Sequence, residues 1–434
     1  MNDVAEKLHR KAVNAWCMYD WANSAFVTTI MAAVLPTFYS SVAAAGLTGN
    51  QATVYWGYTT AIAMLIVAVM APILGAIADY SGITKRLLAG FALMGIFFAA
   101  LLYFVSTGDW LKASIFFILA NIGYGGANVF YDSLLPHVAK ADEIDQVSTR
   151  GYAMGYLGGG LLLAVNLAMI MFPEYFFLPN AEIATRISFV TVAIWWGVFT
   201  IPLLRHVKEP PASGDKTAGV NPITGGLRRL GQTFKEIRRY RELLKFLIAF
   251  WLYNDGIGTI IKMATIYGAE IGIGTTDLIG ALLLTQFIGI PFSILFGKLA
   301  RRLGTKPSIY IGLAVYTLIS IAGYFMSEAW HFWVLAGTVG LVQGGSQALS
   351  RSLFGAMVPR NRTAEFFGFY DVSSRIAGIA GPALFAVVGQ ITGSSRLSII
   401  SLIVFFIGGG LILTTVNEKE GIRVAREQEL LESA

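Results

Sequence analysis

Twelve long apolar runs, separated by short polar connections, make up most of this chain. Backbone placed in hydrocarbon has no water to bond to, so a crossing segment must be a helix or part of a closed barrel. The runs have about the 20 residues that a helical span needs. They lack the alternating ten-residue pattern of barrel strands. The expected fold is therefore all-α, with twelve transmembrane helices. The runs cover residues 15–45, 54–79, 86–106, 112–136, 150–172, 187–204, 244–268, 277–299, 307–327, 331–355, 366–391 and 397–416. Only 13% of residues are charged, against about 25% in a soluble domain.

The basic balance reports orientation rather than a nucleic-acid partner. With both tails on one side, 27 of the 32 Lys and Arg residues fall in the segments of that side. This is the bias of cytoplasmic loops, so a multi-pass protein of the cell (inner) membrane with both termini cytoplasmic is expected. The polar Met1–Lys11 segment followed by a full-length span reads as lacking a cleavable signal. The single cysteine, Cys17, excludes an intrachain disulfide.

The longest polar stretch divides the chain into a six-span half (1–204), a linker (205–243), a second six-span half (244–416) and a tail (417–434). The linker ends in a basic amphipathic segment with Leu227, Leu230, Phe234 and Ile237 at helical spacing, expected to lie on the bilayer surface. The halves repeat each other. Gly75-Ala-Ile-Ala-Asp79-Tyr-Ser-Gly82 aligns with Gly297-Lys-Leu-Ala-Arg301-Arg-Leu-Gly304. In spans 4 and 10, the segment from Gly125 to Leu134 aligns with Gly344 to Leu353. Asp79 then stands opposite Arg301, and Asp132 opposite Arg351.

Several charges sit inside the runs: Asp20, Asp132, Asp255, Lys262 and Arg375. Each costs roughly 2.5–3.5 kcal/mol to insert, so such groups face one another or a wet path. Asn121, Tyr124, Asn128 and Asp132 recur three or four apart on one face of span 4, and Gln343, Gln347 and Arg351 mirror them in span 10. The alternative for such a stripe is interhelical hydrogen bonding that holds the bundle together. Asp20, Asp132 and Asp255 are the candidates for exchanging a proton; a fixed ion pair, Asp255 with Lys262, is the alternative. Asp371 and Arg375 have pairing spacing on one helix. Tyr19, Asp20 and Asn23 offer hydroxyl, carboxylate and amide to a zwitterion, and Lys262 or Arg375 a cation. No phosphate loop, metal-ligand spacing or nucleophile–base pair is present, so neither an enzyme nor a cofactor is expected.

The Gly75-x-x-Ala-Asp79-x-x-Gly82 turn followed by Lys85-Arg86 resembles the signature of the major facilitator superfamily. Closer still, four segments resemble the "unknown major facilitator" family, which includes the autophagy-related vacuolar amino-acid effluxers. They are Tyr19-Asp20-Trp21-Ala-Asn23 in span 1, Ser148-Thr149-Arg150-Gly151-Tyr152 entering span 5, Tyr253-Asn254-Asp255-Gly256 in span 7, and Gly344-Gly345-Ser346-Gln347 in span 10. The resemblance implies two six-helix bundles working by alternating access. Spans 1, 4, 7 and 10 would line a cavity, adding Tyr253 and Asn254 to the residues above. Gly75, Asp79, Gly82, Arg86, Arg150, Arg351, Asp371 and Arg375 would form the gate. The expected activity is secondary transport of a small polar, amino-acid-like solute, with protons, by a monomer. The competing readings are a multidrug or metabolite effluxer, a lipid flippase, and a transport-inactive receptor or scaffold.

Overall fold

A computed structural model describes residues 2–47, 51–212, 224–228, 230–231 and 237–433. The apolar runs fold as twelve long helices, numbered as the spans: α1 (Asn2–Ala25), α2 (Gln51–Ser81), α3 (Thr84–Leu101), α4 (Trp110–Ser133), α5 (Ile144–Met171), α6 (Ala181–His206), α7 (Arg241–Glu270), α8 (Thr275–Leu303), α9 (Thr305–Tyr324), α10 (Ala329–Ala356), α11 (Thr363–Thr392) and α12 (Ser395–Ser401, resumed over Ile403–Thr414). A shorter α13 (Glu418–Ser433) follows. Ten of the described helical stretches are long and apolar enough to cross a membrane. α10, which carries Gln343, Gln347 and Arg351, falls short of that measure, and the described part of α11 contributes the shorter apolar stretch Ala380–Thr392.

α1 does not end at Ala25. It continues as π-helical turns over Phe26–Val34 and Tyr39–Ala43 around a short α-turn. Two local interruptions of the α ladder account for this. The Thr28 hydroxyl donates to the Ser24 carbonyl at 3.1 Å, a competition that loosens helices. Pro36 has no N–H to give.

Among the described residues three apolar clusters form, one from the α1–α6 half and two within the α7–α12 half. The halves meet chiefly along two pairs of helices, α2 against α11 and α5 against α8, with α5 also against α10 and α4 against α11. A rotation exchanging the halves swaps those pairs, and the repeated sequence sits at both. At Gly75 an added Cβ would lie 2.1 Å from the Ala364 carbonyl of α11; at Gly297 it would lie 2.3 Å from Thr149 Oγ1 of α5. The ends of the repeat agree too. Gly82 and Gly304 both have positive φ, 63° and 95°, the conformation glycine adopts without a Cβ clash.

The side holding both termini, here the tail side, also carries the described parts of the linker. Glu209 accepts the Lys85 N–H at 2.5 Å, and Lys85 Nζ donates to the Val207 carbonyl. Gly225 and Gly226 lie against Tyr80 and Ile77 of α2. Arg229, Phe234 and Lys235 of the amphipathic segment lie outside the described residues. α13 returns beneath the start of α7 and the α10–α11 connection: Arg239 donates to Gln428 and the Arg360 N–H to Glu429.

Candidate solute cavity and gate

A cavity of about 260 Å³ lies between the bundles, lined by α1, α4, α5, α8 and α10. Asp20, Asn23, Tyr124, Asn128, Asp132, Gln343, Gln347 and Arg351, all expected from the sequence, face it. Helical spacing is the reason: residues three or four apart stack on one side, so the stripes of α4 and α10 meet across the axis. Asn23 donates its amide to Asn128 at 2.7 Å, tying α1 to α4.

The floor of the cavity is built on Arg351. Its guanidinium crosses from α10 into the other bundle. It donates to Asp132 Oδ1 at 2.9 Å, to Ser148 Oγ at 2.9 Å and to the Ser148 carbonyl at 2.9 Å, with Asp20 Oδ2 at 3.4 Å. Tyr131 donates its hydroxyl to the same Asp20 oxygen at 2.7 Å. The rings of Trp16 and Tyr152 stack within 4.8 and 4.6 Å of the guanidinium. A planar fork suits this multiple recognition where a lysine would not. Two carboxylates share one cation, so the cluster carries a formal charge of −1. Asp132 is the wetter acid, with its side chain 24% exposed against 14% for Asp20.

Further cross-bundle bonds surround this floor on the tail side. Thr305 and Ser352 both donate to Asp145 at the start of α5. Ser148 donates to the Ala348 carbonyl at 2.7 Å. Asp79 accepts the backbone N–H groups of Ala364 and Glu365, at 3.1 and 2.8 Å, in the first turn of α11. A carboxylate there also meets the positive end of the helix dipole. His137 bonds Thr363. The tail side is closed.

The remaining sequence candidates lie elsewhere. Tyr19 and Asn121 are fully buried inside the first bundle, beside the cavity rather than on its wall. Tyr253 bonds Ser350 at 2.6 Å, Asn254 reaches Ser374, and Asp255 accepts the Gly381 N–H, all within the second bundle. Lys262 is exposed and makes no ion pair with Asp255 among the described residues. Arg86 and Arg150 are exposed on the tail side. Asp371 is half-buried, and the Arg375 side chain lies outside the described residues.

Sequence reasoning passed over Tyr131, Tyr152, Tyr156, Gln286 and Asp145. Tyr124 and Tyr131 stand seven apart, and Tyr152 and Tyr156 four apart, on helical faces that already carried candidates. That periodicity was the available signal. Gln286 was hidden because α8 carries no other polar stripe. Gln286 and Gln343 also border an apolar chamber of about 100 Å³ inside the second bundle, walled by Ile260, Tyr267, Met326 and Phe332.

The chain matches the family described as "Vacuole effluxer Atg22 like" over residues 8–426. It is 41% identical over 431 residues to the "Uncharacterized MFS-type transporter YxiO" of Bacillus subtilis, covering 97% of this chain and 98% of that one. It is 23% identical to "Autophagy-related protein 22" of Coccidioides immitis, over 85% of this chain and 73% of that protein. Its fold is similar to the proton:xylose symporter XylE, with TM-score 0.73, 15% identity, and 98% and 99% of the two chains covered. The human organic anion transporter MFSD10 gives TM-score 0.73 at 12% identity, over 93% and 99%. The shared architecture is that of transporters rather than enzymes, and the chain belongs to the Atg22-like family of the major facilitator superfamily.

Proposed function

We propose that this secondary transporter carries a small zwitterionic, amino-acid-like solute by alternating access, in exchange with protons. The observation that carries the reading is the uncompensated charge of the Asp20–Asp132–Arg351 cluster on the cavity floor. A solute ammonium or a proton neutralises it, and the two compete for the same carboxylates. The amides of Asn23, Asn128, Gln343 and Gln347 supply donors for a carboxylate and acceptors for an ammonium. Closure of the tail side, with the basic loops on that same side, supports a cell-membrane protein with cytoplasmic tails, open outward. In the opposite state Arg351 withdraws from Ser148 and the two acids, and the cavity empties toward the tails.

The apolar chamber beyond Gln286 and Gln343 supports a second reading, export of an apolar drug or metabolite. One experiment separates them. Purified protein in liposomes is given an outward proton gradient, with an acidic lumen, and a labelled mixture of common amino acids outside. Accumulation that collapses with a protonophore is expected. No uptake by folded protein removes amino acids, and a set of hydrophobic cations is tested next.

A further inference from the structure

Asp255 stands in α7 away from the solute cavity, 1% exposed. Its Oδ2 accepts the N–H of Gly381 at 2.9 Å. That amide belongs to the weakest place in α11: the next residue is Pro382, inside the helix, with no N–H of its own and a ring that crowds the carbonyl one turn back. A carboxylate from the neighbouring helix holds the backbone at this break.

The other half of the carboxylate faces its own helix. Asp255 Oδ1 and Thr259 Oγ1 are buried one turn apart on α7, and the Thr259 hydroxyl and the Ala380 amide are the neutral donors that act on the carboxylate beside Gly381. Both face the gap left by Gly381. A Cβ at Gly381 would stand 1.9 Å from Thr259 Oγ1 and 2.7 Å from Asp255 Oδ1. Lys262 extends the same face of α7 by another turn, its Nζ 2.9 Å from where a Gly378 Cβ would lie. Among the described residues it is the charged group that acts on Asp255. The neighbouring surface of α11 here is Gly378, Ala380 and Gly381. That of α12 is Phe405 and Phe406, packed on Gly256.

α11 is therefore held by two carboxylates from opposite bundles. Asp79 of α2 takes the amides of its first turn, and Asp255 of α7 takes the amide at its break. The helix belongs to one bundle yet forms half of an interface between the two.

We propose that Asp255 is a proton-operated catch on α11. Ionised, it accepts the Gly381 amide strongly and pins α11 to α7. Protonated by water-borne protons, the carboxyl is a weaker acceptor, the break is released, and α11 bends where its contact with α2 must open. The inference rests on the transporter reading but places this proton outside the solute cavity. Asp255 acts as a positioning residue, with no contact to solute.

The test is amide hydrogen exchange of the full-length protein in nanodiscs, with no solute present, read on peptides covering 375–392. Rates are corrected for the intrinsic pH dependence of exchange. Protection in wild type is expected to fall from mildly alkaline to mildly acidic pH. Asp255→Asn is expected to abolish that pH dependence, and Thr259→Val to keep it. If Asp255→Asn does not fold, Gly381→Ala serves instead: its Cβ enters the gap and should give low protection at both pH values. Wild-type protection that ignores pH overturns the proposal, and so does a pH dependence that survives Asp255→Asn or Gly381→Ala. Because no solute is needed, failed amino-acid uptake leaves this result standing, and a failed exchange test leaves the uptake result standing.

Discussion

The two inter-bundle interfaces, α2 with α11 and α5 with α8, are related by the internal repeat, yet they work by different chemistry. At the first, Asp79 takes backbone amides of α11 and Gly75 touches its carbonyl. At the second, Arg301 in the place of Asp79 is exposed, and Gly297 is nearest the Thr149 side chain, with the Gln146 backbone at ordinary contact distance. The same division runs through the whole gate. The first half supplies acceptors, with Asp20, Asp79, Asp132, Asp145 and the Ser148 carbonyl. The second supplies most of the donors, with Arg351, Thr305, Ser352 and the amides of α11. Backbone symmetry lets the halves rock about one axis. Chemical asymmetry makes the closed contact attractive, because two copies of one half would set acid against acid.

Arg351 carries the largest share of that asymmetry, and its loss is the strongest way to break it. Arg351→Ala leaves Asp20 and Asp132 without their cation, and removing one partner of a buried pair costs about 3–5 kcal/mol. Thermal unfolding in detergent should show it as a large fall in midpoint. Arg351→Lys should recover only part, because a point charge cannot serve Asp132, Ser148 and Asp20 together. An unchanged midpoint for Arg351→Ala would mean the donor–acceptor division carries no closing energy.

The paired glycines sharpen the comparison at the next level. Gly75→Ala drives a methyl into the fixed Ala364 carbonyl, an overpacking of about 1–3 kcal/mol. The tail side should then fail to close. Gly297→Ala meets Thr149 Oγ1, which a rotamer change moves aside, so closure should survive. Maleimide labelling of Asn128→Cys added from the tail side reads the difference: fast with Gly75→Ala, slow with Gly297→Ala. Equal rates would show that backbone and side-chain contacts are interchangeable here.

These positions also show how far the sequence could be read. Twelve spans, two halves and the repeat were legible because apolar length and glycine spacing are local and survive without knowing the fold. The opposite charges of Asp132 and Arg351 were visible at repeated positions, but so were those of Asp79 and Arg301, and among the described residues only the first pair meets. α7 was harder. Asp255 and Lys262 are polar residues mid-span, and composition cannot tell a helix face turned to the cavity from one turned to its own bundle. The deciding fact, the Gly381 amide beside Pro382 in α11, lies 126 residues away. Asp145 escaped notice for a similar reason, because its partners Thr305 and Ser352 come from two other helices.

Smaller effects separate the ends of the repeat. Gly304 has φ 95° and ψ 157°, a region almost closed to residues with a Cβ, so Gly304→Ala should cost about 1–3 kcal/mol through strain alone. Gly82, at φ 63°, lies where asparagine is tolerated. The obstacle there is the linker, since a Cβ would stand 2.8 Å from the Ala212 amide nitrogen. Gly82→Asn should therefore recover only a small part of its loss when Ala212 is replaced by Gly, which removes the Cβ but not the backbone, and Gly304→Asn should gain nothing from a change at Pro307. Denaturation midpoints of the four proteins decide it.

The smallest expected effect bears most directly on the comparison. Asp79→Asn keeps an oxygen that can accept one amide of α11 but removes the charge that faces the helix dipole. The loss should be about 1 kcal/mol. Arg301→Gln, at the equivalent and exposed position, should change stability by about 0.5 kcal/mol or less. A further variant joins the two: Arg301→Asp would place a second acid where the repeat suggests one belongs, near the start of α5. There the first turn already holds Asp145, which takes its bonds from Thr305 and Ser352. An added acid meets a like charge there, so it should weaken closure where Asp79 strengthens it. If Arg301→Asp instead stabilises the closed tail side, the two interfaces are chemically equivalent after all, and the asymmetry lies in Arg351 alone.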